Sequence, residues 1–447
     1  MSDMLAIGAS GLKAYQVALN TVSENIANAA TPGYSRRTAT IKEVASIGGL
    51  GNVSSGEGSV VSGIKRVGDM FKTAEVLNSG ADLAKTETSV TWLDRIENSM
   101  SQSALGTRLS SFFTSSTTLA GDPTSTAARS TMLEAASGVA SAFAETGASL
   151  DRVSDDIDAT TRDTVASLNS LAATLAKING GLGRAAAGSS GNAALLDQRD
   201  SVLDQLSALT DITVSYDAAG RASVRAGGAG GPMLVDGNMA ATAGFAKNAS
   251  GTIVFNVING VTQQVLSPVG GALAGIVDGS QRIVDAKAQL QGIAQDFVDG
   301  VNAVQAQGRD LDNNSGAAMY AIDPAAGTAQ VSLTLADPRG IAAAAVGGGQ
   351  RDNTNLAAFA TLRTAGKFEG NVVNMTTANA SALAQRKAVA DAQTTIRNTA
   401  VTARDSLSGV DLDTEAVDLM RFQQAYAATG RVIQVARDTI QTIIDIR

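Results

Sequence analysis

Residues 3–36 read DMLAIGASGLKAYQVALNTVSENIANAATPGYSR, and this stretch decides the fold of the chain. Its apolar positions recur at alternating steps of three and four residues, the heptad spacing of a helix with one apolar seam. Large side chains occupy this seam at Leu5, Leu12, Tyr15, Leu19, Val22 and Ile26. Thr31, Pro32 and Gly33 end the helix, because proline disfavours helix in the preceding residue and glycine accepts the positive φ of a type II turn.

A second seam of the same kind runs through the C-terminal stretch, from about residue 411 to the end. Its large members are Leu412, Leu419, Phe422, Tyr426, Ile433, Ile440 and Ile443. Two seam helices at opposite ends of one chain predict a coiled coil, formed with each other or with copies in neighbouring subunits. Since isolated helices are only marginally stable, we expect both to be largely disordered in the free monomer and to order on assembly.

The sequence between the seams predicts a helical bundle interrupted by strands. Helices are expected over about 69–119, 122–179, 192–209, 271–307, 337–346, 353–365 and 375–407, with a loop at 46–63. Polar and apolar side chains alternate over 212–217, residues 221–225 are expected to form the return strand, and Asn259-Gly260 predicts a second hairpin, so 211–267 are expected to be rich in strands. The expected fold is therefore mainly α with an inserted small β domain, paired terminal helices and a long-helix bundle in the middle. The predicted domains are 1–32 with 411–447 (terminal coiled coil), 33–210 with 268–410 (helical bundle) and 211–267 (β-rich outer domain).

The composition excludes several classes of function. The 447 residues include no His and no Cys, which removes His bases, Cys nucleophiles and almost every zinc site. The balance of 34 basic against 42 acidic residues, −8, disfavours nucleic-acid binding. No apolar run reaches the roughly 18 residues that a membrane span needs, and no cleavable secretory signal is expected at the start. We therefore predict neither an enzyme nor a cofactor or metal protein, and no insertion into a membrane.

Two acidic clusters invite functional interpretations that their spacing does not support. Asp310, Asp312 and Asn314 resemble the start of a calcium loop, but the required glycine and glutamate are replaced by Ser315 and Ala321, so a polar turn is expected. A second cluster, Asp197, Asp200 and Asp204, has helical spacing. It is interpreted as the solvated face of an amphipathic helix rather than an acid–base site.

Both seams also carry a family resemblance. The segment containing Asn25, Asn28, Thr31, Pro32, Gly33 and Tyr34 resembles the N-terminal signature of bacterial flagellar axial proteins, although Glu24 stands where the family usually has a second Asn. Residues 408–433 are similar to the other end of the same family. Pro32-Gly33-Tyr34 and Phe422-Gln423-Gln424 look like the hook-associated members, since rod and hook proteins usually have Thr-Gly-Phe at this turn.

The resemblance implies a structural subunit of the flagellum that forms a junction ring between hook and filament. It implies a ring of about eleven copies, contacts to the hook protein and to a second junction protein, and an export chaperone bound to the C-terminal region. The implied location is extracellular, after type III export. A distal rod or hook subunit is the alternative within the family, and signalling coiled coils or polymer-degrading enzymes are more distant alternatives.

Overall fold

Two long terminal helices lie side by side in the computed structural model, which describes residues 2–44, 58–323 and 329–445. Helix α1 spans Ser2–Ala27 and helix α9 spans Leu412–Asp445. They run antiparallel, because Gly8 lies against Ile433 and Asn25 lies against Glu415. At about 1.5 Å per residue, α1 is about 39 Å long. The predicted fold class, mainly α with paired terminal helices and an inserted β segment, is confirmed.

A β-hairpin covers one side of α1. Strands β1 (Arg37–Glu43) and β2 (Ser59–Arg66) pair antiparallel from Arg37↔Arg66 to Glu43↔Ser59 and contact α1. The predicted loop at 46–63 is therefore wrong for 59–63, and 46–57 lie outside the described residues, as do Met1 and residues 446–447. Gly and Ser in β2 suggest a loop locally, but the partner strand supplies its hydrogen bonds.

Seven helices form the central bundle. They are α2 (Met70–Ser101), α3 (Leu105–Gly121), α4 (Thr126–Leu182), α5 (Ser190–Leu209), α6 (Gly271–Gln307), α7 (Ala357–Gly366) and α8 (Phe368–Ser408). The predicted single helix over 69–119 breaks at Ala104, which adopts φ 50°. The N-cap of α4 is Ser125 rather than Asp122. The Asp122 side chain accepts a hydrogen bond from the Thr124 amide, in the turn that precedes the helix.

Helices α2 and α6 approach each other closely at glycines. A Cβ added at Gly279 would lie 2.5 Å from Trp92 Cδ1, and one added at Gly275 would lie 2.5 Å from Thr88 Cβ. Trp92 is 2% exposed and belongs to the buried core of the bundle. The small residues of α6 therefore set the distance between these helices.

Replacing Gly279 with Ala is expected to lower the free energy of unfolding by about 1–3 kcal/mol, because the new methyl group overlaps the indole ring. The matched control is Gly292→Ala in the same helix, where nothing lies within 4 Å of an added Cβ. That variant is expected to gain about 0.5–1 kcal/mol from helix propensity. Urea unfolding followed by the fluorescence of Trp92, the single Trp, measures both. Equal midpoints for the two variants would contradict the close contact.

The inserted segment forms two antiparallel sheets that pack on α4. Their strands are β3 (Ile212–Tyr216), β4 (Ala222–Ala226), β5 (Met233–Asp236), β6 (Met239–Ala240), β7 (Thr242–Lys247), β8 (Ile253–Asn259) and β9 (Thr262–Leu266). The sheet orders are β3-β4-β5-β6 and β7-β8-β9. The predicted hairpin is present, but Asn259 pairs with Thr262, so Gly260 and Val261 form the turn and Gly260 supplies φ 60°.

Two asparagines of α4 fix these sheets. The side-chain amide of Asn179 forms hydrogen bonds with the backbone of Ala222 and Gly237. The side-chain amide of Asn169 forms hydrogen bonds with the backbone N–H and carbonyl of Ala243. The inner strand residues belong to the same buried cluster as the bundle. The segment therefore shares its core with the helices.

The region between α6 and α7 differs most from the prediction. The expected helix at 337–346 is a 3₁₀ turn at Pro338–Gly340 followed by extended chain, and Thr354–Leu356 is a second 3₁₀ turn. Two short strands, β10 (Tyr320–Ile322) and β11 (Val331–Leu333), pair antiparallel. Asp312 is ion-paired with Arg339, in keeping with the expected polar turn rather than a calcium loop.

Candidate functional site

Asn25 lies at the centre of a hydrogen-bond network where the terminal helices meet the bundle. Its side chain is fully buried. The amide nitrogen donates to the Arg37 carbonyl (2.8 Å) and to Glu415 Oε2 (3.0 Å). Its oxygen accepts from the Arg37 amide (3.0 Å) and from the Tyr34 hydroxyl (2.9 Å). One side chain thus connects α1, the following turn, β1 and α9.

Glu415 is a buried carboxylate at the start of α9, with its side chain 1% exposed. Arg36 Nε lies 2.6 Å from Glu415 Oε1, and Arg36 Nη2 lies 3.3 Å from Asp418 Oδ2. A buried charge is tolerated when it is paired and its remaining oxygens are hydrogen-bonded, as they are here. The Arg36–Glu415 pair therefore ties the chain after the turn to α9.

Tyr34 completes the network from the turn. Burial raises the pKa of the Tyr34 phenol to about 12, so its hydroxyl remains protonated and donates to Asn25. The Arg37 guanidinium lies 4.7 Å from the centre of the Tyr34 ring. The Tyr34 amide donates to the Thr31 carbonyl, and Gly33 has φ 79°, as expected of the predicted turn.

The other motif residues lie at the surface or make local bonds. The Asn28 side chain donates to the Glu24 carbonyl within the same helix end. Thr31, Pro32 and Gly33 are exposed. Helix α1 ends at Ala27, four residues before the predicted end, and hydrogen-bonded turns cover 28–31.

Two arginines of the hairpin extend the network to α5. Asp197 accepts from Arg37 (2.8 Å) and Arg66 (2.7 Å), and Asp200 pairs with Arg66 at 2.7 Å. On the next turn of α5, Asp204 pairs with Arg404 at 3.1 Å. The solvated-face interpretation of these aspartates is therefore wrong, because their helix faces the hairpin and α8 rather than water.

Replacing Asp197 with Asn is expected to weaken the attachment of the hairpin to α5 by about 2–3 kcal/mol, since two guanidinium groups lose a charged partner at a site only 12% exposed. Amide exchange in β1 and β2 should then be faster by a factor of about 30–150. Asp155→Asn on the exposed face of α4 is the matched control, with an expected change within about 0.5 kcal/mol. Unchanged exchange in β1 and β2 of the Asp197 variant would refute the attachment.

The predicted N-terminal seam is only partly buried in the single chain. Val22 is buried, Ile26 is 37% exposed, and Leu5, Leu12, Tyr15 and Leu19 are half-buried. Apart from Val22, the buried positions of α1 are small or polar, namely Gly8, Gly11, Ala14, Ala18, Thr21 and Asn25. Small residues allow close approach, as at Gly11, where an added Cβ would lie 3.0 Å from Thr429 Cγ2.

The predicted C-terminal seam faces α1 along its middle and is open at its ends. Leu419, Phe422, Tyr426, Ile433 and Ile440 are half-buried, whereas Leu412 is 54% and Ile443 is 48% exposed. Phe422 lies 6.4 Å from Tyr15, between ring centres. Of the 34 residues of α9, only Glu415 and Ala436 are buried. The pair is formed, but much of its apolar surface remains uncovered.

Sequence reasoning missed Arg36, Arg37, Arg66 and Glu415 as site residues. One signal was available: Glu415 occupies a seam position where an apolar residue is expected, which indicates a buried charged partner. The adjacent Arg36-Arg37 follows the turn directly. Its partners on α5 and α9 are distant in sequence, so spacing could not reveal them.

Within residues 2–44, 58–323 and 329–445, no group of three or more acidic side chains is placed to hold a metal ion. None of the helices in the described part of the chain is both long enough and apolar enough to cross a membrane. The Asn25 network joins α1, the motif turn, the hairpin, α5 and α9 through hydrogen bonds and ion pairs.

Three family models match different parts of the chain, and all three describe flagellar proteins. Residues 93–320 match the family described as flagellar hook-associated protein FlgK helical domain. Residues 5–34 match flagella basal body rod protein, and 404–446 match flagellar basal body rod FlgEFG protein C-terminal.

Relatives of similar sequence are flagellar hook-associated protein 1 of Salmonella typhimurium and of Bacillus subtilis. The first is 28% identical and covers 72% of this chain, which spans 60% of that relative's length. The second is 25% identical over 97% of this chain and 96% of that protein. The flagellar hook junction protein FlgK of Burkholderia pseudomallei has the same fold, with TM-score 0.65 and 17% identity over 75% of this chain and 100% of that one. The chain belongs to the flagellar hook-associated protein FlgK family.

Proposed function

We propose that this protein is a structural subunit of the bacterial flagellum that joins hook to filament. It associates laterally and axially through α1 and α9. The observation that carries the proposal is the uncovered seam: α9 contains a continuous heptad pattern, yet only two of its residues are buried in the single chain. An apolar surface of this kind favours association with further copies.

The family matches support the junction rather than another axial position. The helical-domain match covers the middle of the chain, and the rod-type matches are confined to its ends. A distal rod or hook subunit remains the alternative function, because the terminal helices are shared across these proteins. The chain spans about 60% of the length of the Salmonella relative. The role of that whole protein is therefore assigned to this chain only as a proposal.

The proposed partners are those that the family resemblance implies. Copies of this chain form a ring of about eleven subunits, with the hook protein on one side and a second junction protein on the other. A chaperone holds the C-terminal region before type III export to the extracellular flagellum. No catalytic activity and no cofactor belong to this function.

The proposed domain division keeps residues 1–32 with 411–447 as the inner axial domain. Residues 33–210 with 268–410 form the bundle, and 211–267 lie outermost. The Asn25–Glu415 network then joins the inner domain to the bundle through the hairpin. Because 211–267 share a core with α4, we expect point changes on their outer surface, rather than their deletion, to leave assembly intact.

Electron microscopy of a deletion strain tests the proposal. Loss of this chain should leave hooks without filaments and release flagellin into the medium, and the wild-type chain should restore filaments. Absence of hooks would instead indicate a rod or hook subunit. Normal filaments in the deletion strain would refute a role at the junction.

A further inference from the structure

Met70 and Phe71 form an exposed apolar projection at the start of α2. Phe71 is 86% and Met70 is 64% exposed, in a chain with only 4% aromatic residues. The projection is held in place, because Asp69 accepts bonds from the amides of Phe71 (2.7 Å) and Lys72 (3.1 Å). The cap fixes the backbone that carries both side chains, and adjacent large apolar side chains exposed to water are characteristic of a contact surface.

An apolar groove of about 840 Å³ lies between the motif turn and helices α4 and α5. Ile178, Leu195 and Val202 contribute its apolar lining, and Pro32 forms one edge. Lys177 and Arg184 are exposed at its rim. The groove is therefore largely apolar with a basic rim, and the ion pair of Arg37 and Asp197 also lines it.

The projection and the groove lie on either side of the same turn. The groove includes residues 31–34 on one side. A cavity of about 380 Å³ includes residues 31–35 on the other and extends to Asp69 and Thr73, next to the projection. Both features thus lie close to the motif turn, where the terminal helices join the bundle.

We propose that Met70 and Phe71 of one copy insert into the groove of the next copy in the ring. This rests on the proposed function, which requires head-to-tail contacts between identical subunits. A projection and a groove on different faces are complementary in a heterologous ring, where each copy uses both. The net charges are opposite in sign: Lys72 pairs with Glu75 beside the projection, so that Asp69 leaves a net negative charge there, whereas Lys177 and Arg184 are exposed at the rim of the groove.

Cysteine cross-linking in assembled flagella tests this contact, since the chain has no Cys of its own. A deletion strain carrying the double variant Phe71→Cys, Leu195→Cys should yield a ladder of disulfide-linked oligomers after oxidation of isolated hook–filament particles. Co-expression of the two single variants should yield dimers only. If the double variant does not assemble, Met70→Cys with Ala194→Cys probes the same contact.

The controls distinguish failure of the proposed contact from failure of the proposed junction function. Phe71→Cys with Val261→Cys, at the fully exposed turn of the β segment, should give no ladder. Dimers from Phe71→Cys alone would show that two projections meet, which overturns the proposal. Normal filaments without a 71–195 or 70–194 ladder would also overturn it while leaving the junction function standing. Failure of the wild-type chain to support filaments would refute the function instead.

Discussion

Replacing Asn25 with Ala is expected to lower the opening free energy of the terminal helix pair by about 3–5 kcal/mol. The change leaves the Arg37 amide and carbonyl and the Tyr34 hydroxyl without their buried partner. It also removes the second bond to the buried Glu415. Each buried group left unpaired costs about 1–3 kcal/mol, and a buried charge costs more.

Hydrogen exchange in the second half of α1 and the first turns of α9 measures this effect when it is recorded on assembled flagella, in which both helices are expected to be ordered. At 1.4 kcal/mol per factor of ten, the amides there should exchange at least about 100 times faster than in the wild type. Asn28→Ala is the matched control, because the Asn28 side chain bonds only within the helix end and the turn, and its expected cost is below about 1 kcal/mol. Equal exchange in the two variants would show that Asn25 does not hold the network together.

Replacing Ile433 with Asp is expected to abolish incorporation into the flagellum. Ile433 occupies the middle of the α9 seam, where its Cγ1 lies 2.7 Å from the position of a Cβ added at Gly8. A charged side chain at this close contact would be desolvated without a partner, which costs several kcal/mol. The cost recurs in every subunit of the ring, so assembly fails even if the monomer folds.

The fraction of the variant in sheared hook–filament particles, relative to the fraction in the medium, measures incorporation. Val261→Asp places the same charge on the outer β segment and should incorporate normally. The unfolding transition of Trp92 should be unchanged in both variants, because this residue lies in the bundle. If the Ile433 variant were incorporated as well as the wild type, α9 could not be part of the assembly interface.

Local chemistry in the sequence predicted several elements well. The strands expected at 212–217 and 221–225 correspond to β3 and β4, and the helix expected at 271–307 corresponds to α6. Gly33 supplies the positive φ expected of it. These features depend on residues close in sequence, so periodicity and turn chemistry suffice to find them.

The remaining features depend on partners distant in sequence. Strand β2 contains Gly and Ser, and only its pairing with β1 makes it a strand. The break falls at Ala104, which is neither Gly nor Pro, and the nearby Gly106 lies inside α3. The large residues of the predicted seam are mostly half-buried, whereas Ala14 and Ala18 outside it are buried, because close approach to α9 and the hairpin favours small side chains.

The same limit applies to the candidate site. Asn25 and Tyr34 were found through the family signature, whereas the aspartates of α5 were assigned to solvent. Helical spacing shows which residues share a face, but it does not show what that face contacts. Asp197 and its two arginine partners therefore became evident only in the fold.

Hydrogen exchange of α1 and α9, compared between the free monomer and the assembled flagellum, tests most directly whether the terminal helices are the assembly element. Because α9 buries so little in the single chain, its amides in monodisperse monomer should exchange far faster than those of α2 and α6. Assembly should then slow exchange across 5–26 and 419–443 by a factor of at least about 100. Protection of α9 in the monomer equal to that of α2, with no gain on assembly, would contradict the account.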